Sequence, residues 1–250
     1  MARQSGIIKL KGTIDDISFY KSQDGHLARM KGGPTAEKVL NDPAFQRTRE
    51  NNSEFARAGA AGRVLRTTFR NFLMNASDNR MVSRLTKDMI AVVKADATSV
   101  RGKRNVLDGE LEMLEGFEFN INGKLSTTLH AQYAVTYDRV VGNIALDIPS
   151  LIPINMISAP AGATHVNIFF AGAEIDFENE VFNMVSAETG NLTLDESATA
   201  VNLPCNLTAN SGKPVFIVAG ISFSQSVNGV QYPLKNGFYN AMAIVKVSGL

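Results

Sequence analysis

Three histidines, one cysteine and a short run of carboxylates are the groups in this sequence whose types could do chemistry. His26, His130 and His165 lie in separate segments, and none forms the HExxH or HxH spacing that would bring two imidazoles to one metal. They read as satisfied or exposed side chains rather than as ligands or bases. Cys205 sits in Leu203-Pro-Cys-Asn-Leu207, with no basic neighbour to favour a thiolate, and reads as a buried or idle thiol. One cysteine excludes an internal disulfide and a cysteine metal site. There is no GxSxG elbow, no GxxxxGK[ST] loop and no GxGxxG after a strand. The expectation is a protein that is not an enzyme and holds no cofactor or metal.

The run Glu174-Ile-Asp-Phe-Glu-Asn-Glu180 has another character. Kept extended, it would set Glu174, Asp176, Glu178 and Glu180 on one face and Ile175, Phe177 and Val181 on the other. Like charges in a row repel, so such a face suits solvent, a turn at Glu178-Asn179, or a basic partner surface. Calcium fits less well, because its sites need converging loop oxygens. The basic counterpart is an arginine-rich stretch: Arg47, Arg49, Arg57, Arg63, Arg66 and Arg70, with Phe45 among them. Nucleic acid is disfavoured as its partner, since the phenylalanines that follow serve a helix core and the acidic C-terminal half would oppose a polyanion.

These two runs belong to a wider asymmetry. Residues 1–104 hold 20 Lys and Arg against 10 Asp and Glu, whereas residues 105–250 hold 5 against 14. The net +1 of the whole chain therefore conceals halves of +10 and −9. Either the halves neutralise one another within one molecule, or each meets the opposite half of a neighbouring copy. A composition 44% hydrophobic and 20% charged argues against wholesale disorder. No apolar run approaches the ~20 residues that span a bilayer, and no secretory signal is visible, which predicts cytoplasmic synthesis with release as a particle or by another route.

The elements that would position these groups follow from periodicity. Residues 1–33 read as an extended β-hairpin arm, with strands over 12–21 and 26–31 joined at Asp24-Gly25 and ended by Lys31-Gly-Gly-Pro34. Residues 34–104 read as a basic helical region. Asp42-Pro43 opens a first helix and Ser53 a second, whose face carries Leu65, Phe69, Phe72 and Leu73. Asn75 to Asp78 caps a third helix with the stripe Val82, Leu85, Met89 and Val92/Val93, and residues 97–104 form a basic linker. Period two governs residues 105–250, with strands predicted at 115–121, 125–131, 133–139, 142–148, 164–177, 180–187, 214–225 and 239–247. The fold class is α+β: a hairpin arm and a helical hairpin followed by an acidic antiparallel β-sandwich.

Gly12-Thr-Ile, Ser18-Phe-Tyr-Lys21, the run from Asp42 to Asn51, Ser83-Arg-Leu-Thr-Lys87, Gly116-Phe-Glu-Phe-Asn120 and the run from Val227 to Gly237 resemble an uncharacterised family of Bacteroidetes-type hypothetical proteins. The resemblance covers most of the chain, implies a bacterial or phage setting, and transfers no activity or site residue. The expected function is a structural subunit that assembles with copies of itself into a homopolymeric particle, tube or filament of phage-like descent. The candidate interface is Ile14, Ile17, Phe19 and Tyr20 on the arm, Arg63, Arg66 and Arg70 on the helices, and Glu174, Asp176, Glu178 and Glu180. A non-catalytic sandwich module binding glycan or protein is the alternative.

Overall fold

The computed structural model describes residues 1–30 and 32–249, apart from the side chains of Lys235 and Asn236. Two compact units, Met1–Arg49 and Glu50–Leu250, divide within a long helix. The first unit opens with an antiparallel sheet of β1 (Ala2–Arg3), β2 (Gly12–Ile14), β3 (Ile17–Ser22) and β4 (Gly25–Met30), in the order β1-β4-β3-β2. The expected hairpin forms: Ser22 pairs with Gly25, whose φ of 106° a side chain would resist. Residues 12–21 are not one strand, however. Asp15, at φ 46°, turns the chain so that Ile14 pairs with Ile17, a conformation the short polar Asp side chain tolerates. Lys31, expected to end the hairpin, lies outside the described residues. α1 (Ala36–Asn41) is capped by Thr35 Oγ1, which accepts from Lys38 N. Asp42 Oδ1 then accepts from Ala44 N at the 3₁₀ turn Pro43–Phe45, the start that Asp42-Pro43 predicts.

That turn runs into α2 (Gln46–Thr68), which passes straight through Ser53. The separate start expected there is absent because tertiary contacts override the weak helix propensity of Asn51, Asn52 and Ser53. One turn on, Glu54 accepts from Gly102 N, and Arg57 donates to the carbonyls of Gly102 and Arg104. α2 breaks at Phe69 and is followed by α3 (Arg70–Leu73) and α4 (Met81–Ala95). α4 buries Met81, Leu85, Met89, Val92 and Val93, while Val82 faces outward, one position off the expected stripe. Ala58, Ala61 and Gly62 on α2 are small enough for the two helices to close, with Leu85 and Met89 against Gly62.

The remaining elements are α5 (Leu125–Thr128), β5 (Ala134–Asp138), β6 (Asn143–Leu151), α6 (Pro153–Met156), β7 (His165–Asp176), β8 (Val181–Glu188), β9 (Leu192–Thr193), β10 (Thr199–Asn206), β11 (Val215–Val227), β12 (Val230–Pro233) and β13 (Ala241–Ser248). They form two antiparallel sheets. One is β10-β6-β5; the other is β12-β11-β7-β8, with β13 also on β11 and β9 also on β7. The fold class is α+β, as the periodicity implies.

The larger sheet lies between two hydrophobic cores. Phe169, Ala171, Ala173 and Ile175 of β7, with Phe216 and Val218 of β11, face the helices. Val166, Ile168 and Phe170, with Ile217, Ala219 and Ile221, face β6 and β10. Strands buried on both sides carry apolar residues at consecutive positions, which explains the unbroken apolar runs in β7 and β11. Two predicted strands take other forms. Residues 115–121 are irregular, joined to β13 through Gly116 N to Ile244 O, Ile244 N to Phe117 O and Phe119 N to Met242 O. Residues 125–131 start as α5, because the Glu118 carboxylate accepts from Leu125 N and Ser126 N and so caps a helix.

Helix and sheet meet at Phe72, which stacks on Phe169 with centroids 4.7 Å apart. Phe169 pairs with Gly220 on β11, and a Cβ there would lie 2.2 Å from the Phe169 ring and 2.5 Å from Ala241 O. Gly220→Ala is therefore expected to cost about 2 kcal/mol through overpacking against ring and backbone. Gly212→Ala, into open space at ordinary φ, is the control and should be near neutral. Urea denaturation of the two variants checks the contrast, and equal midpoints would refute it.

Candidate functional site

The N-terminal sheet segregates its side chains by register. Ile14 pairs with Ile17, Ile17 with Met30, and Phe19 with Ala28, so Ile14, Ile17, Phe19, Ala28 and Met30 share one face. Met30 is 77% exposed and Ile14 57%, and among the described residues of Met1–Arg49 none is buried. Tyr20 lies on the opposite face, with the Arg29 guanidinium 5.5 Å from its ring centre. Three of the four arm residues singled out in the sequence thus fall together and Tyr20 does not.

The acidic row is not a flat face. β7 stops at Asp176, whose Oδ1 accepts from Glu178 N and Asn179 N, and Glu180 turns at φ 55° into β8. Glu174 is buried and accepts from Thr208 N and Oγ1. Asp176 also meets Lys213 at 3.6 Å, and Glu180 pairs with Arg63 of α2 at 2.5 Å. Glu178 is left exposed at the tip. Of the arginines, Arg66 donates Nε to Gly62 O and Arg70 is exposed. Other carboxylates of the acidic half also bind backbone amides: Glu115 takes Val247 N and Glu112 takes Gly249 N.

Sequence reasoning missed the cleft along α2 and α4. Two adjoining hollows of about 540 Å³ each share Phe55, Ile90 and Lys94. One continues past Val82, Thr86 and Lys87, the other past Asn51, Arg101 and Arg104. The loop expected as a basic linker makes its end wall. Asp96, buried, accepts from Thr98 N and Oγ1, Ser99 N and Asn105 N, and so ties the loop's two ends together. Within it Arg101 meets Glu50 at 3.6 Å and Asn51 Oδ1 at 2.9 Å, while Arg104 meets Glu54 at 3.8 Å. Phe55 and Val82 were the available signals, as apolar residues lying off the buried stripes of their helices.

Other chemically capable groups are held by local structure. His130 Nε2 lies 2.8 Å from Ser158 Oγ, beside the Leu129–Ile157 bridge that sets the two segments together. His165 Nδ1 lies 2.8 Å from Thr164 Oγ1. Cys205 points into the sandwich core, where burial pushes its thiol up. Among the described residues no group of three or more His, Cys, Asp or Glu side chains could hold a metal ion, and no helix is long and apolar enough to cross a membrane.

No family model and no curated protein matches the chain. One solved structure, titled "pH-induced modulation of Streptococcus parasanguinis adhesion by Fap1 fimbriae", aligns over 46% of this chain and 81% of that chain, at 10% identity and a TM-score of 0.22. At that score the likeness carries no argument.

The Asp96 loop supplies a pH test. Burial alone would raise the Asp96 carboxyl, but the amides of Ser99 and Asn105 and the hydroxyls of Ser99 and Thr98 outweigh it and hold the group well below the usual carboxylate range. A depressed carboxylate stabilises the fold above the unfolded value of ~4 and loses that contribution as pH falls through the folded value. Asp96→Asn should be less stable than wild type at pH 7 (neutral), with the gap narrowing as pH drops below ~4. Urea titrations of both proteins across that range decide it, and a gap independent of pH would refute the assignment.

Proposed function

We propose that the protein is a structural subunit that self-assembles into a homopolymeric particle, tube or filament, joined through its N-terminal sheet. One observation carries this reading: three strands of the sheet present an apolar face of Ile14, Ile17, Phe19 and Met30, yet among the described residues of that unit none is buried. A small sheet is marginal in water until its apolar face is covered. The occupant is a neighbouring copy. Residues 1–49 carry 9 Lys and Arg against 5 Asp and Glu, and residues 105–250 of the neighbour are strongly acidic. Covering the sheet and linking the subunits are then one event.

Negative-stain microscopy and light scattering of the full chain test this. Particles are expected, with association weakening as salt rises toward ~1 M, where screening reaches within ~3 Å. Ile17→Asp combined with Phe19→Asp should abolish them while circular dichroism of the remainder is kept. A wild type that stays monomeric, or assemblies indifferent to the double substitution, would overturn the reading.

A further inference from the structure

We propose that the α2–α4 cleft receives the tip between β7 and β8, residues 177–182, of a second copy; this rests on the self-assembly reading and names a second contact within it. The cleft is an apolar floor with a basic wall. Phe55 is 58% exposed and Val82 44%, with Ile90 and Ala91 between them. Each hollow, at about 540 Å³, falls in the ~300–1,000 Å³ range of sites that take up several groups at once. At the end wall Arg101 and Arg104 already face Glu50 and Glu54. Lys94, where the two hollows join, and Lys87, in the one past Val82, meet no carboxylate in an ion pair among the described residues. An occupant must therefore bring apolar side chains and at least one negative charge.

The β7–β8 tip has that composition and is already set in shape. Asp176 binds the turn amides of Glu178 and Asn179, Phe177 packs edge-on to Phe216 with centroids 5.9 Å apart, and Glu180 is held by Arg63. A tip fixed at three points loses little freedom on docking. What it presents is the exposed Glu178 carboxylate and, at the start of edge strand β8, Phe182, 42% exposed, on the face shared with Ile175, while Val181, 50% exposed, lies on the other face. Edge strands ending in exposed apolar residues are surfaces that proteins normally cover or charge. Phe182 on Phe55 and Val82, with Glu178 toward Lys94, removes apolar area from water and matches the charges left over on each side. Cleft and tip are different patches, so the contact is either reciprocated in a two-fold pair or repeated head to tail in a filament or ring.

A charge swap in the full chain tests the pairing. Lys94→Glu alone and Glu178→Lys alone should each weaken association, read by sedimentation velocity, by about tenfold, and the double variant should recover most of the loss. Phe55→Asp, at an exposed position, should weaken it without altering circular dichroism. Assemblies that persist unchanged in all three single variants would overturn the cleft contact while leaving the N-terminal linkage standing. Losses that add in the double variant would overturn the pairing of cleft with tip. A wild type that never associates would overturn both proposals.

Discussion

Burying one sheet on both faces is the demand from which the rest of this fold follows. Along the buried stretches of β7 and β11 every second side chain meets helices and the alternate ones meet a second sheet, so neither face tolerates a polar group without a partner there. On the helix side Ala171, Ala173 and Gly220 leave room around the Phe169 ring, on which Phe72 of α3 stacks. The other side holds Ile168, Phe170 and Ile217 against β6 and β10. Edges must then be closed as well. Residues 116–119 complete the outer edge of β13 through three backbone bonds, and Arg84 of α4 fixes that segment by donating to Glu118 O and Phe119 O and lying over the Phe117 ring, 5.1 Å from its centre, while it also pairs with Asp78. Arg139 performs a similar service at the far end, donating to the carbonyls of Ser211, Lys213, Ser248 and Gly249. Both arginines act as multiple donors to backbone acceptors, a geometry lysine could not supply.

The charge asymmetry has a physical reason inside this framework. Carboxylates of the acidic half serve as acceptors for amides that strands and turns leave over: Glu112, Glu115, Glu118 and Glu174 each bind at least one N–H of another segment. A carboxylate used in this way has its acceptor oxygens satisfied without a cation beside it. The cations of the helical region divide differently. Arg57 and Arg84 bind carbonyls, Arg63 reaches Glu180, and Lys87 and Lys94 stand out from α4 at the cleft. Many carboxylates of the acidic half are thus used on its own amides while some arginines of the basic half reach across to it, and a surplus of each sign remains for solvent or another molecule.

The parts legible in the sequence were those with one strong local cause. Asp42-Pro43 announces a helix start, Asp24-Gly25 a hairpin, and the apolar runs at 164–177 and 214–225 two central strands. Elements set by long-range contacts were not legible. β10 alternates Val201, Leu203 and Cys205 inward with Asn202, Pro204 and Asn206 outward, but Pro204 argues against a strand unless the strand is known to pair on one side only, with β6. α5 depends on Glu118 reaching Leu125 and Ser126, and the Asp96 loop on bonds that close a ring of residues around one carboxylate. The acidic run could be seen, but whether it stayed extended turned on Asp176 capturing two amides. The cleft was hidden for a related reason: Val82 matches the helical period of α4 closely enough to pass for core.

The two units differ in what their stability draws on. Glu50–Leu250 encloses two cores and needs no neighbour to cover its central sheet. Met1–Arg49 has strands, two tight turns and a capped helix, all local devices, and among its described residues no buried side chain. Local devices set register and direction, but the free energy that holds a sheet in water comes from covering its apolar face. On the self-assembly reading, association therefore supplies the N-terminal sheet with the core it lacks, and the ordering cost of that sheet is deducted from the strength of the link. The link is then weaker than its apolar area suggests and more sensitive to any change at Ile14, Ile17 or Phe19, because each such change removes both an interface contact and part of the only core the sheet acquires. A docked tip such as 177–182, rigid beforehand, carries no such deduction, so the two contacts would differ in kind: one coupled to folding, the other a fit between preformed surfaces.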